Sequence, residues 1–421
     1  MQSKKKLLIY AHYYAPDVAS TGQILQDMAE GLANTFDITV ICTVPSYSGT
    51  VQPQYKTKKF YIEELNGVKI VRVRVPEFSK ANKISRVKNI LSYFIGAVSA
   101  TFRVGKQDYV FSISQPPILG GLLGVWGKWV KQAKYIYNIQ DFNPEQVLAV
   151  NYSSNKLITK AMMILDKFSC KRSDLVITVG RDLVETMHNR FRGKKLPKTV
   201  MINNWIDEKS VYPVAQDHPE VKSFREQYGL DGKYVIMYSG NIGMYYDLEN
   251  LMQVIARFKD AKTADGREVV FAFVGAGSVL DKLVSYKEEN GLNHVAFIPY
   301  QDKDKLIYSL NAADVHWCVN AKGIKGVSCP SKFYGIAGVG KPVLAVLEKG
   351  SEIQMLIDEI GCGKCSEPGD YDAVAENIRY FIENADSGEV VAMGQRGFDY
   401  LIKNLTKDIS VEKYKKAILE L

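Results

Sequence analysis

Short apolar runs alternate with amphipathic stretches along almost the whole chain, and this alternation constrains the fold more than any other feature. "KKLLIYAHYY" and "FDITVICTV" read as buried strands with a helix, "TGQILQDMAEGLANT", between them. "GVKIVRVRV", "YVFSISQPP" and "KYIYNIQD" follow as strands, the last two separated by an apolar helical segment. A helical stretch around 154–172, a strand "LVITVG", a helix "DLVETMHNRF" and a strand "TVMINN" complete the set. A strand followed by a helix before the next strand cannot close a tight hairpin. The chain has to cross over, and the resulting sheet is parallel and covered by helices.

"NWIDEKSVYPVAQDHPE" (204–220) breaks the pattern with turn residues, prolines and charges, and reads as a linker. The alternation then restarts. "KYVIMYSGNIG" and "VVFAFVGAGS" are each a strand with a glycine loop, followed by the helices "DLENLMQVIARF" and "VLDKLVSYKEENG". "HVAFIPY", "DKLIYSLNAA", "DVHWCV", "PSKFYGIAGVG" and "KPVLAV" close a second set, and the residues after 385 read as helical and polar. The fold class is therefore α/β, with two doubly wound parallel-sheet domains, and 421 residues suit two cores better than one. Two such domains facing each other make a cleft, and in open α/β sheets ligands bind outside the carboxyl ends of the strands. The chemistry is expected on the loops 11–22, 141–145, 240–247, 275–278 and 328–335.

Several function classes recede. The first lysines and "LLIYAHYYA" could open a signal peptide, but the apolar run is short and broken by His12, so a first strand is the better reading. No apolar run reaches the ~18–20 residues of a membrane span. Cys362 and Cys365 form a single CxxC with no second pair, which reads as two small thiols in a glycine-rich loop and fits a reducing, cytosolic setting. Charge is uneven. Residues 1–200 hold 29 Lys and Arg against 14 Asp and Glu, and the remainder 25 against 32. The basic half suggests an anionic partner, an evenly solvated surface being the alternative. Within it, "KANKISRVKNILSYF", Trp126, Lys128, Trp129, Lys131 and Lys134 read as a basic amphipathic surface suited to an anionic bilayer, or as helices packed on the sheet with solvated lysines.

Two motifs carry the chemistry. In "YSGNIGMYYD", Gly240 and Gly243 follow a strand and precede a helix, so backbone amides can approach a phosphate; plain turn glycines are the alternative. Gly275 and Gly277 lack the third glycine of a dinucleotide fingerprint, since position 280 is Leu, and no GK[ST] makes a P-loop. In "SCPSKFYGIAGVGKPVLAV", Pro330 and Ser331 suit the start of a helix, with Ser331 as cap. Lys332 then sits in the first turn, where a cation opposes the helix dipole unless an anion sits there; a solvated lysine is the alternative.

In order and wording these segments resemble glycosyltransferase family 4, and within it the bacterial O-antigen and capsule enzymes of the L-fucosamine-transferase-like group. The matching pieces are "YYAPDVASTGQ", "VPSYSG", "SQPPILGGLLG", "QDFNPE", "MINNWID", "YSGNIG", "FVGAGS", "FIPYQDKDKL", "PSKFYGIAGVGKPVLA" and "GCGKCSEPGD", which span nearly the whole chain. The resemblance implies the GT-B fold. It implies an acceptor-binding domain at 1–203, a nucleotide-sugar domain at 204–385, and a helical segment at 386–421 returning to the first domain. It implies retaining transfer without a metal or other cofactor. The donor would be a nucleotide sugar, UDP favoured over GDP, and the acceptor a polyprenyl-diphosphate-linked saccharide. The setting would be the cytoplasm, peripheral at the inner face of the cell membrane, with an anionic membrane surface as partner and no nucleic acid.

The resemblance also distributes roles. Gly240, Asn241, Gly243 and Gly277 would border the donor diphosphate, with Lys332 on the same phosphates and Ser331 capping its helix. Ile298 and Tyr300 would flank the backbone that reads the base. Asp141 stands where the family places a polar residue beside the donor sugar, so Asp141 and Lys332 are the catalytic candidates. His12, Asp17, Thr21, Gly22 and Glu145 would shape the acceptor side, although His12 also reads as a satisfied loop histidine. The chain departs from the family at four positions. Asn241 and Tyr246 replace basic residues that many members carry, and Gly335 and Val327 replace acidic ones. The Gly335 position usually holds the ribose, and it lies at i+3 from Lys332. Two other classes fit the architecture: a nucleotide-sugar epimerase, for which Asp141 and Glu145 are the available pair, and a non-catalytic nucleotide-binding homologue without the donor glutamates.

Overall fold

The computed structural model describes residues 4–17, 19–79, 82–149 and 155–421. Val18 in the first loop, Lys80 and Ala81 at the head of the basic stretch, and Ser154 at the start of the expected helix lie outside them. The chain forms two compact units, Met1–Asn203 with Asp408–Leu421, and Asn204–Lys407.

The first unit runs β1 (Lys5–Tyr10), α1 (Ser20–Leu32), β2 (Phe36–Thr43), β3 (Phe60–Leu65), β4 (Val68–Val73), α2 (Lys83–Thr101) and β5 (Tyr109–Ile113). It continues with α3 (Leu119–Lys131), β6 (Lys134–Ile139), α4 (Glu145–Ala149), α5 (Lys156–Arg172), β7 (Leu175–Thr178), α6 (Arg181–Arg190) and β8 (Thr199–Met201). The sheet order is β3-β4-β2-β1-β5-β6-β7-β8. All neighbours are parallel except β3 and β4. That hairpin departs from the expected pattern. Asn66 and Gly67, with φ of 50° and 78°, make its tight turn. β3 has no fully buried residue, so its sequence lacks the apolar run of the inner strands.

The second unit runs α7 (Pro219–Gln227), β9 (Tyr234–Ser239), α8 (Leu248–Ile255), β10 (Val269–Val274), α9 (Leu280–Glu289), β11 (Val295–Ile298), α10 (Leu306–Asn311) and β12 (Val315–Val319). Then come α11 (Lys332–Gly338), β13 (Val343–Val346), α12 (Glu352–Ile360), β14 (Gly363–Ser366), α13 (Tyr371–Glu383) and α14 (Gly388–Asn404). Its parallel sheet has the order β11-β10-β9-β12-β13-β14. β14 corrects the glycine-loop reading of the CxxC, because Cys365 sits in an edge strand paired with β13. All six cysteines are free thiols.

The strand cores are continuous apolar runs, as a sheet covered on both faces requires; every residue of β5, β10 and β12 is buried. The carboxyl-terminal return is shorter than 386–421. α14 packs on α11 in the second unit, where Gly394 lets it approach Gly340 O. Only Asp408–Leu421, the body of α15 (Lys407–Leu419), joins the first unit. There Val411 lies against Gly31, and the Tyr414 hydroxyl accepts from Asn138 at 2.9 Å.

Candidate active site

In the second unit the strand order reverses between β9 and β12, the place where such sheets bind ligands. The loop after β9 holds Gly240, Asn241 and Gly243, and the segment after β12 leads to Lys332. Gly240 has φ +139° and Gly275 φ +142°, both in the region only glycine adopts easily. A Cβ on Gly275 would lie 2.0 Å from Gly240 O, and one on Gly277 2.1 Å from Ile242 O. Two glycine loops are therefore pressed backbone to backbone. The contact is sealed by Gly240 N–H to Val274 O and Ile242 N–H to Ala276 O, both 2.9 Å. These bonds consume the amides of Gly240 and Ile242, whereas those of Asn241 and Gly243 meet no acceptor among the described residues. Gly277 thus supports the loop by allowing close packing.

Lys332 reaches this loop. Its Cε would lie 2.8 Å from a Cβ on Gly240. Its Nζ stands 3.6 Å from the ring centre of Tyr246 and 5.0 Å from that of Tyr238. No carboxylate pairs with it among the described residues, so the cation rests on two aromatic faces. Gly240, Asn241, Gly243 and Lys332 are brought together as expected from the motifs; the two tyrosines are an addition. Tyr246 stands where the resemblance led one to expect a basic residue, and the quoted "YSGNIGMYYD" was the available signal.

The other donor-side expectations fare differently. Ser331 makes no capping hydrogen bond, because its own backbone is already helical (φ −65°, ψ −15°), whereas a cap needs an extended residue. Gly335 is buried, and a Cβ there would meet only Leu310 Cδ1, at 3.5 Å. No close backbone approach explains this glycine. Ile298 is buried and its carbonyl accepts from Gly275 N–H at 2.9 Å, while Tyr300 is 57% exposed.

In the first unit the order reverses between β1 and β5. Thr21 Oγ1 donates to Gln115 Oε1 at 3.1 Å, tying α1 to the loop after β5. Gly22 packs on Tyr13, whose carbonyl oxygen would lie 3.0 Å from an added Cβ. The Asp17 carboxylate accepts from the amides of Ser46 (3.2 Å) and Tyr47 (3.0 Å), so it shapes the loop after β2. Burial pushes that carboxyl above its usual range, against the pull of the two amides. His12 is buried between Tyr13 and Tyr93, with ring centres 4.1 and 5.0 Å away. Burial lowers its pKa to about 4, so the imidazole is neutral at pH 7. Among the described residues its Nε2 has no hydrogen-bond partner, and the same holds for Tyr14 Oη, Ser46 Oγ, Asn143 Oδ1 and Thr178 Oγ1. All five lie at or just beyond strand carboxyl ends. Buried polar atoms are normally paired, so this end of the sheet offers hydrogen-bonding capacity to a ligand.

Asp141 follows β6, half-buried, its amide bonded to Ser114 Oγ at 3.3 Å. Glu145 differs from its expected place on the acceptor side. Its two oxygens accept from Arg190 Nε, at 2.7 Å, and from Arg190 Nη2. Arg190 also donates to Asn143 O at 2.9 Å and to Asp166 at 2.5 Å, and lies over the Phe142 ring at 4.2 Å. Glu145 therefore anchors the "QDFNPE" loop, which removes it as an acid/base partner for Asp141. Arg190 sits 45 positions further along the chain, and nothing local in the sequence announces the pairing. Among the described residues no three His, Cys, Asp or Glu side chains group as a metal site requires. A cavity of about 600 Å³ opens at the opposite, amino end of this sheet, beside Lys106, Trp129 and Lys134, away from all these loops.

Known proteins resemble this chain. Residues 220–398 match the model of the family described as glycosyl transferases group 1. WbjE of Pseudomonas aeruginosa, a probable glycosyltransferase, is 27% identical over 350 residues, 82% of this chain and 83% of that one. WcaI of Escherichia coli (strain K12), a putative colanic acid biosynthesis glycosyl transferase, is 25% identical over 386 residues, 89% and 91% of the two chains. The solved structure of Anabaena Alr3699/HepE in complex with UDP and glucose superposes with a TM-score of 0.72 at 13% identity, over 99% of this chain and 100% of that one. The two parallel-sheet units are those of the GT-B fold. Residues 220–398 are thus a glycosyl transferases group 1 domain, and the chain is a glycosyltransferase.

Proposed function

We propose that the enzyme moves a sugar, with retention at the anomeric carbon, from a nucleoside diphosphate sugar to a polyprenyl-diphosphate-linked saccharide. The product is a repeat unit of a cell-surface polysaccharide of the O-antigen or capsule kind. UDP is favoured over GDP as the carrier. The enzyme works in the cytoplasm, peripheral to the inner membrane face. The likeness to WcaI, a putative colanic acid biosynthesis glycosyl transferase, supports the polysaccharide role, and the likeness to HepE, solved with UDP, supports the carrier.

One observation carries the donor reading: the Lys332 ammonium stands over the Gly240 loop beside two amides, and among the described residues neither the amides nor the ammonium has an acceptor or carboxylate partner. When the bond from the anomeric carbon to the diphosphate oxygen breaks, its electron pair and charge pass to the diphosphate. Lys332 and the amides of Asn241 and Gly243 are fixed donors aimed at that charge. This pairing needs no divalent cation. Asp141, beyond the carboxyl end of β6 in the first unit, is the second catalytic candidate. His12, neutral and with Nε2 unpaired, accepts from an acceptor hydroxyl.

The test uses labelled UDP- and GDP-sugars with a polyprenyl-diphosphate-linked acceptor, in the presence of EDTA, followed by NMR of the product. Label from a UDP-sugar in the lipid fraction, with the donor's anomeric configuration, is expected. Inversion, an absolute metal requirement, or transfer from GDP-sugars alone would contradict the proposal.

A further inference from the structure

We infer that one face of the first unit, built from α2, α3 and α5, seats the enzyme on an anionic lipid bilayer. α3 packs against both other helices. α2 presents Ile84, Val87, Leu91 and Ile95 along one side, at 46–69% exposure, and Phe102 follows at its end, 65% exposed. Their spacing of three and four residues makes a single stripe. α5 presents a second stripe, Leu157, Ile158, Ile164 and Leu165, at 41–79% exposure. Four rings span α3 between the stripes. Phe102 meets Trp126 edge-on at 5.7 Å, and Trp129, 53% exposed, meets Phe168 at 6.2 Å.

The charges on these helices have one sign. Together they carry ten Lys and Arg and a single carboxylate, Asp166, which is buried and bonded to Arg190 and Tyr137. Solvated helix faces usually mix both signs. Exposed apolar area of this extent marks an interaction surface, and large aliphatics with Trp and Phe, flanked only by bases, match a helix face lying in the lipid interface. A second copy of the chain fits poorly: a two-fold pairing would set one basic face against another, and the three helices carry no exposed acid to offset it. No helix among the described residues is long and apolar enough to cross a membrane, so this face lies on the bilayer. Each helix starts at the carboxyl end of the sheet and runs towards its amino end, so one edge of the face borders the loops of His12, Asp17 and Asp141. The inference deepens the reading above, placing the lipid that carries the acceptor beside the acceptor loops, but its test needs no transfer.

The full chain is floated with vesicles of phosphatidylcholine alone and of phosphatidylcholine mixed with phosphatidylglycerol. Binding to the mixed vesicles, weakened by salt, is expected. Leu91→Glu with Ile95→Glu should weaken it at least about tenfold, and Lys156→Glu and Lys160→Glu about fivefold or more each. UDP titration of the same variants reports folding and should be unchanged. A wild type that ignores mixed vesicles, binds both kinds equally, or loses self-association instead of lipid binding in the variants would overturn the inference. Vesicle binding without any nucleotide binding would leave it standing and remove the donor reading.

Discussion

Lys332 is held in place by rings. Tyr246 and Tyr238 fix the ammonium over the glycine loop through contacts worth about 0.5–2 kcal/mol, less than a charged hydrogen bond to phosphate at about 1.5–3 kcal/mol. A phosphate can therefore recruit the lysine without first breaking an ion pair. Tyr246→Phe keeps the ring face and should keep nucleotide affinity, whereas Tyr246→Leu should lose several-fold; titration of both variants checks this. The buried histidines give a pH dependence of defined sign. Burial takes His12 and His316 from 6.5 down to about 4. Above pH 6.5 both are neutral whether folded or unfolded. As pH falls from 6.5 towards 4 the unfolded chain takes up protons that the folded one refuses, and stability drops. Each histidine contributes up to roughly 3 kcal/mol to that drop. Denaturant unfolding at pH 7 and pH 4.5 should show the loss, and the variant His12→Asn with His316→Gln should reduce it, leaving the share of His294, whose pKa burial also lowers.

α11 shows how much of an element its sequence discloses. The strand–glycine–helix wording placed Lys332 beside the Gly240 loop, because a glycine after a strand and a lysine opening a helix are local signals. The same wording set Gly335 beside Lys332, where the family resemblance leads one to expect an acid. In the fold its Cβ direction meets only Leu310 Cδ1, at an ordinary contact distance of 3.5 Å. Gly335→Ala should therefore stabilise the protein by about 0.5–1 kcal/mol through helix propensity, with nucleotide affinity unchanged, as thermal unfolding and titration can show. The inner strands were legible for a similar reason: burial on both faces writes itself as a continuous apolar run. β3 and β14 were not, one being only partly buried and the other, "GKCS", lacking any branched apolar residue. The "QDFNPE" loop was legible as a motif, but the Arg190 that holds it was not, since partners far apart in sequence leave no periodic trace. Arg190→Ala strands Glu145 and the buried Asp166 without their cation and should cost about 3–5 kcal/mol in denaturant unfolding.

On the scale of the molecule, the chain divides its work between two units. The first gathers the basic charge, the apolar stripes and the unpaired polar atoms at its strand ends. The second gathers the glycine loops and Lys332, and is the part that matches the group 1 glycosyltransferase family. Asp408–Leu421 bury Tyr414 and Ile418 in the first unit, so that unit's core closes only with the end of the chain. The alternation of strands and helices announced both sheets and the break between them, but no periodicity marks the point where a final helix changes allegiance. The central claim is that the second unit binds a nucleoside diphosphate through Lys332. The most direct test is calorimetric titration of UDP and GDP into the wild type and Lys332→Ala, with thermal unfolding to show that both are folded. The account predicts that UDP binds the wild type and that Lys332→Ala weakens it at least about tenfold. UDP bound equally well by both proteins, or by neither, would contradict it.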